Sequence, residues 1–128
     1  APTYVPAFDV TGQWASVTQP WWALYVTQYA QRLMLTGGWL TFDGEGRSIW
    51  LYFYEAGGWT APGTYTAQLF RNMGPPFATA PGADAPSPRA SIAGSVVFTF
   101  QDRETADVTF ILEGTRISHR IRRVVYPP

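Results

Sequence analysis

The chain has 128 residues but no cysteine, and all nine of its basic residues are arginine. Without cysteine it has no disulfide framework, no thiolate metal site and no cysteine nucleophile. A single histidine, His119, excludes a metal site built on two histidines. Charged residues make up 14% of the chain, well below the roughly 25% of an average soluble protein. We therefore expect a surface rich in neutral polar and aromatic groups.

The charge balance is also close to zero, with nine acidic and nine basic residues. Nucleic-acid recognition draws on a clear basic excess, so we expect no nucleic-acid partner. We expect no membrane partner either, because basic steering is missing and no apolar run approaches the roughly 18 residues of a membrane helix. The first residues, Ala1-Pro2-Thr3-Tyr4-Val5-Pro6, are typical of a trimmed exported protein. An arginine-only, Ala-, Gly- and Pro-rich composition is typical of a GC-rich bacterial genome, so we predict a secreted or periplasmic bacterial protein.

Alternating apolar and polar residues, with frequent Gly and Asp turns, predict an antiparallel meander. The turns include Asp43-Gly44-Glu45-Gly46 and Glu113-Gly114, and the pair Gly37-Gly38 suggests a bulge or a sharp bend. No stretch of helical period with a cap is present, so we expect little or no helix. Eight strands are predicted, at about 10–17, 21–29, 33–42, 48–55, 64–71, 91–101, 105–113 and 116–126.

This pattern predicts a single all-β domain over residues 1–128. Eight short strands with hairpin connections suit an antiparallel up-and-down barrel, which removes the exposed strand edges. The alternative is a two-sheet β-sandwich. Five prolines predict a long Pro-rich loop at about 74–90, which could be a crossover or a lid.

The motif Thr11-Gly12-Gln13-Trp14 resembles the Gly-x-Trp opening of calycin barrels, the lipocalins and avidins. The resemblance implies that Trp14 closes one barrel end and that an arginine of the last strand packs on it. Arg120 and Arg122, with Arg123 as a further candidate, are expected in this structural role. The ligand-contacting residues of avidins find no convincing match, so biotin binding is not implied.

A second resemblance covers most of the chain and is to a module of secreted proteobacterial proteins. That module often accompanies exported enzymes, and the resemblance implies export and an accessory role. The chain departs from the usual pattern at Trp21 and Ala23, where glycines are common, and at Gly37-Gly38, where the spacing is longer. The similar segments are Trp22-Ala23-Leu24, Val26-Thr27-Gln28, Trp39-Leu40-Thr41-Phe42-Asp43, Ile49-Trp50-Leu51, and Gly63-Thr64-Tyr65-Thr66 to Gly74-Pro75-Pro76-Phe77.

Aromatic residues make up 16% of the chain and are the strongest candidates for function. Because side chains alternate along a strand, two strands each separate an aliphatic face from a Trp/Tyr face. In the fourth strand Ile49, Leu51 and Phe53 oppose Trp50, Tyr52 and Tyr54; in the second, Trp22, Leu24 and Val26 oppose Trp21, Tyr25 and Tyr29. The predicted ligand-binding residues are Trp21, Tyr25, Trp39, Trp50, Tyr52 and Tyr54.

Trp and Tyr combine a large apolar area with one polar atom, which suits stacking on sugars or flat apolar ligands. The leading hypothesis is a secreted, non-catalytic module that binds a small apolar or glycan ligand through this face, whether exterior or lumenal. The first alternative is a protein-interaction or homo-oligomerisation module of an exported protein. The second is a small barrel enzyme with an apolar lumen.

The polar residues do not form a recognisable catalytic or metal-binding set. The carboxylate pairs Asp43 with Glu45 and Asp102 with Glu104 offer fewer than the six to eight oxygen ligands of a Ca²⁺ site, so we assign them to turns. His119 lacks a nucleophile and an orienting carboxylate at a recognisable spacing. We expect it to be a structural or pH-sensitive partner of Glu113 or Asp107, and we expect no catalytic residue, metal or cofactor.

Overall fold

A computed structural model describes residues 4–29, 31, 33–54, 57–73 and 89–124. Within these residues the structure has no helix, and so none that could span a membrane. Residues 74–88 of the predicted Pro-rich loop lie outside the described part, whereas Arg89 and Ala90 already belong to a strand. The strands are β1 (Gly12–Ser16), β2 (Ala23–Tyr29), β3 (Met34–Phe42), β4 (Ser48–Phe53), β5 (Gly57–Ala61), β6 (Thr64–Met73), β7 (Arg89–Phe100), β8 (Thr105–Leu112) and β9 (Thr115–Arg123).

The strands form a closed antiparallel barrel of eight strands with one additional strand. Along the sheet the order is β4-β3-β2-β1-β9-β8-β7-β6-β5, and pairing of β4 with β6 closes it. Most strands pair with the strands that precede and follow them in sequence. The last strand, β9, returns to pair with β1, with Trp14 opposite Arg123 and Ser16 opposite Ile121. The predicted barrel is therefore confirmed, and the two-sheet sandwich is not formed.

The additional strand β5 lies between the fourth and fifth predicted strands, where the sequence predicts no strand. Strand β7 pairs along the whole of β6, so β4 and β5 must share the other edge of β6. Strand β4 contributes only two pairs there, Leu51 with Arg71 and Tyr52 with Phe70, whereas Gly57 is the first β5 residue to pair, with Ala67. Strand β5 therefore pairs with the same edge of β6 as β4, farther along that edge.

The glycine pair of β3 allows close packing instead of forming a bulge. The register of β3 with β2 and with β4 is constant through Gly37 and Gly38, so the predicted bulge is not formed. A β-carbon on Gly37 would overlap the Tyr25 carbonyl oxygen and lie 2.8 Å from Cζ of Phe53. The missing side chain therefore lets β2 and the Phe53 ring approach β3 closely.

The predicted turns connect the strands with the expected chemistry. Glu113 and Gly114 both have positive φ, 51° and 80°, which is the conformation of a two-residue type I′ hairpin. Between β3 and β4 the Asp43 amide donates to the Arg47 carbonyl at 2.8 Å. These local signals fix the β8–β9 and β3–β4 hairpins.

Inward side chains of all the barrel strands pack against one another in the interior. Trp14 is fully buried, donates from Nε1 to the Val10 carbonyl at 3.0 Å and packs edge-to-face on Phe100. Each large apolar side chain buried in this way contributes roughly 1.5–3 kcal/mol. The buried hydrophobic residues are Val10, Trp14, Trp22, Leu24, Val26, Leu35, Trp39, Ile49, Leu51, Phe53, Tyr65, Ala67, Leu69, Val96, Phe98, Phe100, Ala106, Val108, Phe110 and Ile121.

Among these buried hydrophobic residues, Tyr65 is the one with a side-chain hydroxyl group. Its oxygen accepts the Leu35 backbone N–H at 3.1 Å, which satisfies both groups away from water. Burial raises the pKa of Tyr65 above its ordinary value of 10.0. The hydroxyl therefore stays neutral and ties β6 to β3 across the interior.

Candidate functional site

The predicted aromatic face lies on the exterior of the barrel. Trp50 of β4 and Tyr54, the residue after β4, point outward, with 59% and 41% of their surface exposed. From β2 and the turn before it, Tyr25 and Trp21 are exposed by 46% and 61%. Ile49, Leu51 and Phe53 of β4 are buried instead, so the predicted division between the two faces of this strand is confirmed.

Trp39 is the exception among the six predicted ligand-binding residues, because it lies in the core. It is 2% exposed, and its ring stacks on Phe110 with centroids 3.7 Å apart and planes at 7°. In the sheet register it lies opposite Leu24 of β2 and Leu51 of β4, both fully buried. The structure therefore separates Trp39 from the other five residues.

A groove crosses the outer face of β1 to β4, and we call it the β1–β4 groove. It has a volume of about 480 Å³, which is within the usual range for small-ligand sites. Ala15 and Ala23 contribute only methyl groups, which leaves room between the larger side chains. The other apolar residues that shape it include Trp21, Leu40, Phe42 and Trp50, and its polar lining includes Gln13, Thr41 and Ser48.

Leu40 and Phe42 were missed by the sequence reasoning, although they are 44% and 45% exposed and line the groove. The sequence does carry a signal for their shared exposure. Leu40 and Phe42 are two residues apart on one strand, so their side chains lie on the same face. Strand β3 is apolar on both faces, and that hides the division between core and exterior. These two residues make the groove more apolar than Trp and Tyr alone would.

Gly38 positions one wall of the groove. A β-carbon on Gly38 would lie 2.9 Å from Nε1 of Trp50, so the indole of Trp50 passes directly over the glycine. An aromatic side chain that covers a glycine on the neighbouring strand is a known way of stabilising a sheet. Trp50 is therefore held against the barrel while more than half of its surface remains exposed.

The aromatic surface continues from Trp50 into what we call the Tyr52 cluster, formed by Tyr52, Tyr54, Phe70 and Asn72. The rings of Tyr52 and Tyr54 are nearly parallel, at 16°, with centroids 5.3 Å apart. Phe70 of β6 lies 5.8 Å from Tyr52 and 5.4 Å from Tyr54, and Trp50 lies 6.4 Å from Tyr52. The Tyr52 hydroxyl donates to Oδ1 of Asn72 at 2.7 Å.

The electrostatics of the cluster favour neutral groups. Desolvation, followed by the neighbouring Tyr54, raises the pKa of Tyr52 above its ordinary value of 10.0. The lining of the β1–β4 groove includes no carboxylate, no histidine and no arginine among the described residues. The groove and the cluster therefore form one uncharged surface across β1 to β4 and β6.

Two of the three arginines expected beside Trp14 lie elsewhere. Arg120 is on the outer face, where its Nε donates to Asp107 Oδ1 at 2.7 Å, and Arg122 is exposed as well. The inward-facing arginine of β9 is Arg123, which lies opposite Trp14 and donates to the Thr11 carbonyl at 3.2 Å. Of the three candidates, only Arg123 is placed for the role that the calycin resemblance implies.

His119 does not have the acidic partner that the sequence suggested. Its Nδ1 lies 3.4 Å from the Ser16 hydroxyl, and its ring packs edge-on against Trp22, with centroids 5.4 Å apart. Asp107 pairs with Arg120 instead. His119 therefore belongs to an aromatic cluster at one end of the barrel, and its neighbours among the described residues do not form a nucleophile–base–acid set.

Asp43 and Asp102 act as turn residues, in agreement with the sequence analysis. Oδ1 of Asp102 accepts the backbone N–H groups of Glu104 and Thr105 at 2.7 and 2.9 Å. The first of these bonds is the largest cause of a pKa below the ordinary value of 3.8. No group of three or more potential metal-ligating side chains was found in the part of the chain that the structure describes.

No protein family, no curated protein and no solved structure is detectably similar to the chain. The resemblances to calycins and to a secreted proteobacterial module, together with the bacterial origin and export that they imply, therefore stay predictions.

The arrangement is suited to binding, and the described residues that line the groove offer no acid–base pair. Thr41 and Ser48 provide hydroxyls, but general acid–base chemistry needs a titratable group within hydrogen-bond reach of the substrate. Gln13, Thr41 and Ser48 can donate and accept hydrogen bonds to a neutral ligand. The walls at Trp21 and Trp50 can contact the flat apolar side of the same ligand.

Proposed function

We propose that this domain is a non-catalytic binding module that takes a small uncharged ligand with a flat apolar face, a sugar ring or a flat apolar compound, in the β1–β4 groove. The observation that carries the proposal is the pair of exposed indoles, Trp21 and Trp50, at an uncharged groove of about 480 Å³. A concave, mainly apolar site with a few polar groups is the usual form of a small-ligand site.

The rigidity of the groove supports this proposal. Trp50 is held over Gly38, and β3 pairs without irregularity with both β2 and β4. A ligand that enters a preformed groove does not have to order flexible segments, so less of the contact energy is lost to entropy. The exposed face of Trp50 is therefore ready to stack without a change in the barrel.

The test is a titration of the folded protein with neutral sugars and neutral flat apolar compounds, followed by tryptophan fluorescence and calorimetry. We expect saturable binding that Trp50→Ala weakens by about tenfold, or about 1.4 kcal/mol. Ile92→Ala is the matched control, because Ile92 is 63% exposed on β7, outside the groove. The proposal fails if no compound binds, or if both variants weaken binding equally.

A second candidate function is self-association through the same face, which the exposure of Leu40 and Phe42 beside the two tryptophans favours. Contiguous exposed apolar surface often marks a protein interface. Net charge near zero adds little repulsion between copies. We expect a concentration-dependent mass in light scattering that Phe42→Ser reduces, and a strict monomer at high micromolar concentration would exclude this function.

A further inference from the structure

We infer that protonation of His119 weakens ligand binding in the β1–β4 groove, so that the groove binds at neutral pH and releases its ligand at mildly acidic pH. The inference rests on the proposed function and deepens it by naming how the same site is regulated. His119 is the single histidine of a chain without cysteine. Histidine is the side chain that ordinarily changes charge between about pH 5 and about pH 8, so one side chain carries the response.

His119 lies inside the barrel and contacts the groove through one indole. It pairs with Val108, which is 1% exposed, and paired residues of neighbouring strands point to the same side of a sheet. Its ring packs edge-on against Trp22, with centroids 5.4 Å apart. Trp22 is itself buried, and it also lines the β1–β4 groove. A movement of the His119 ring is therefore felt at the groove.

Hydrogen bonds connect the histidine to the same wall along the chain. Oγ of Ser16 lies 3.4 Å from the histidine Nδ1 and accepts the backbone N–H groups of Thr18 and Gln19 at 3.1 and 3.0 Å. The side-chain oxygen of Gln19 accepts the indole N–H of Trp22 at 2.9 Å. Trp21 precedes Trp22 and is the exposed wall of the groove. The positions of both indoles therefore depend on the turn that Ser16 holds.

The neutral imidazole suits these contacts, whereas the protonated ring does not. Because the Ser16 oxygen already accepts two N–H groups, its own proton is available to Nδ1 of His119. A protonated ring carries N–H groups at both nitrogens, so Nδ1 would meet an oxygen whose lone pairs are in use. Nε2 is buried and has no hydrogen-bond partner among the described residues, so its charged N–H would have no acceptor. Protonation therefore drives the ring away from Ser16 and Trp22.

The side chains around His119 offer no negative charge to compensate a protonated ring. Asp107 and Arg120 are adjacent in the sheet, but they point outward and pair with each other at 2.7 Å. Arg123 shares the inward side of β9 and donates to a backbone carbonyl at 3.2 Å. Residues 17–22 include no charged side chain. The uncharged neighbours on the inward side of β1, β8 and β9 are Ser16, Val108, Ile117 and Ile121.

The experiment measures the affinity of the folded protein for N-phenylnaphthylamine, which stays uncharged, at about pH 7.5 and about pH 5. We expect binding to be at least about fivefold weaker at the lower pH. His119→Asn keeps an oxygen that can accept the Ser16 proton but does not titrate, so its affinity should agree within about twofold at the two pH values. Asp107→Asn is the matched control, because this outward carboxylate lies on the neighbouring strand, and it should keep the full response.

Two NMR signals follow the coupling without a ligand. The imidazole C–H signal of the single histidine reports its protonation, and the indole N–H signal of Trp21 reports the exposed wall of the groove. Both should change with the same midpoint in the unmodified chain. In His119→Phe, which keeps a ring against Trp22, the Trp21 signal should not change over this pH range. A His119 signal that stays constant between about pH 5 and about pH 8 would overturn the inference.

The failures of the two proposals are distinguishable. If the probe binds equally at both pH values while His119 titrates, or if His119→Asn keeps the response, the inference falls and the proposed function stands. If no neutral compound binds at either pH, the proposed function falls and the NMR signals decide the inference. A Trp21 signal that does not follow His119 then overturns it, and one that does retains the coupling. Circular dichroism at both pH values verifies that each variant is folded.

Discussion

Two adjacent glycines of β3 should respond oppositely to the same substitution. Gly37→Ala places a β-carbon against the Tyr25 carbonyl oxygen and 2.8 Å from Cζ of Phe53. Neither neighbour can easily move, because Tyr25 pairs within the β2–β3 ladder and Phe53 is fully buried. Overpacking of this kind costs typically 1–3 kcal/mol, and we expect about 3 kcal/mol here because both neighbours are fixed.

Gly38→Ala meets only the exposed indole of Trp50, whose Nε1 lies 2.9 Å from the added β-carbon. The indole can rotate into solvent, and alanine costs less backbone entropy than glycine in a strand. We expect the free energy of unfolding to change by less than about 0.5 kcal/mol. The displaced Trp50 should nevertheless weaken binding in the β1–β4 groove.

The assay is urea unfolding followed by far-ultraviolet circular dichroism, which does not depend on the environment of Trp50. A loss of about 3 kcal/mol should also lower the melting temperature by roughly 10 °C in a domain of this size. The reasoning is refuted if Gly37→Ala is as stable as the unmodified chain, or if Gly38→Ala is as destabilising as Gly37→Ala.

Three further substitutions test the core and the turns by the same unfolding assay. Trp39→Ala should cost about 3–5 kcal/mol without weakening ligand binding by folded protein; weakened binding would return Trp39 to the site. Tyr65→Phe leaves the Leu35 N–H without its acceptor and should cost about 1–3 kcal/mol, and an unchanged stability would contradict that bond. The lowered pKa of Asp102 contributes stability that is present above pH 3.8 and is lost as the pH falls through the folded-state pKa. Asp102→Asn should therefore flatten the acid loss of stability, and equal slopes would contradict the assignment.

Much of the fold could be predicted because the local signals agree with each other. The eight barrel strands and the Glu113-Gly114 hairpin follow from alternation and turn residues that the structure bears out. Strand β5 could not be predicted in this way, because Gly57 and Gly58 have low strand propensity and resemble a turn. Its pairing depends on the free edge of β6, which only the assembled barrel reveals.

The site was predictable in its aromatic residues and not in its boundaries. The side of Trp39 could not be read from Gly37 and Gly38, which have no side chains to indicate a face. The hairpin register could have resolved it, because Phe42 pairs with Ser48 and the same register sets Trp39 opposite Leu51. The groove itself depends on four strands meeting through contacts far apart in sequence, and alternation within one strand carries no such information.

The barrel is closed unevenly around its circumference, and this difference has a dynamic consequence. Among the described residues, strand β4 meets β6 through two residue pairs, one of them Tyr52 with Phe70, whereas β8 and β9 are paired over eight. In native-state hydrogen exchange we expect the backbone amides at the β4–β6 contact to be exposed by a local opening well below the global unfolding free energy. The ring contacts of the Tyr52 cluster would then restrain this local opening, and a ligand bound over the cluster would slow it.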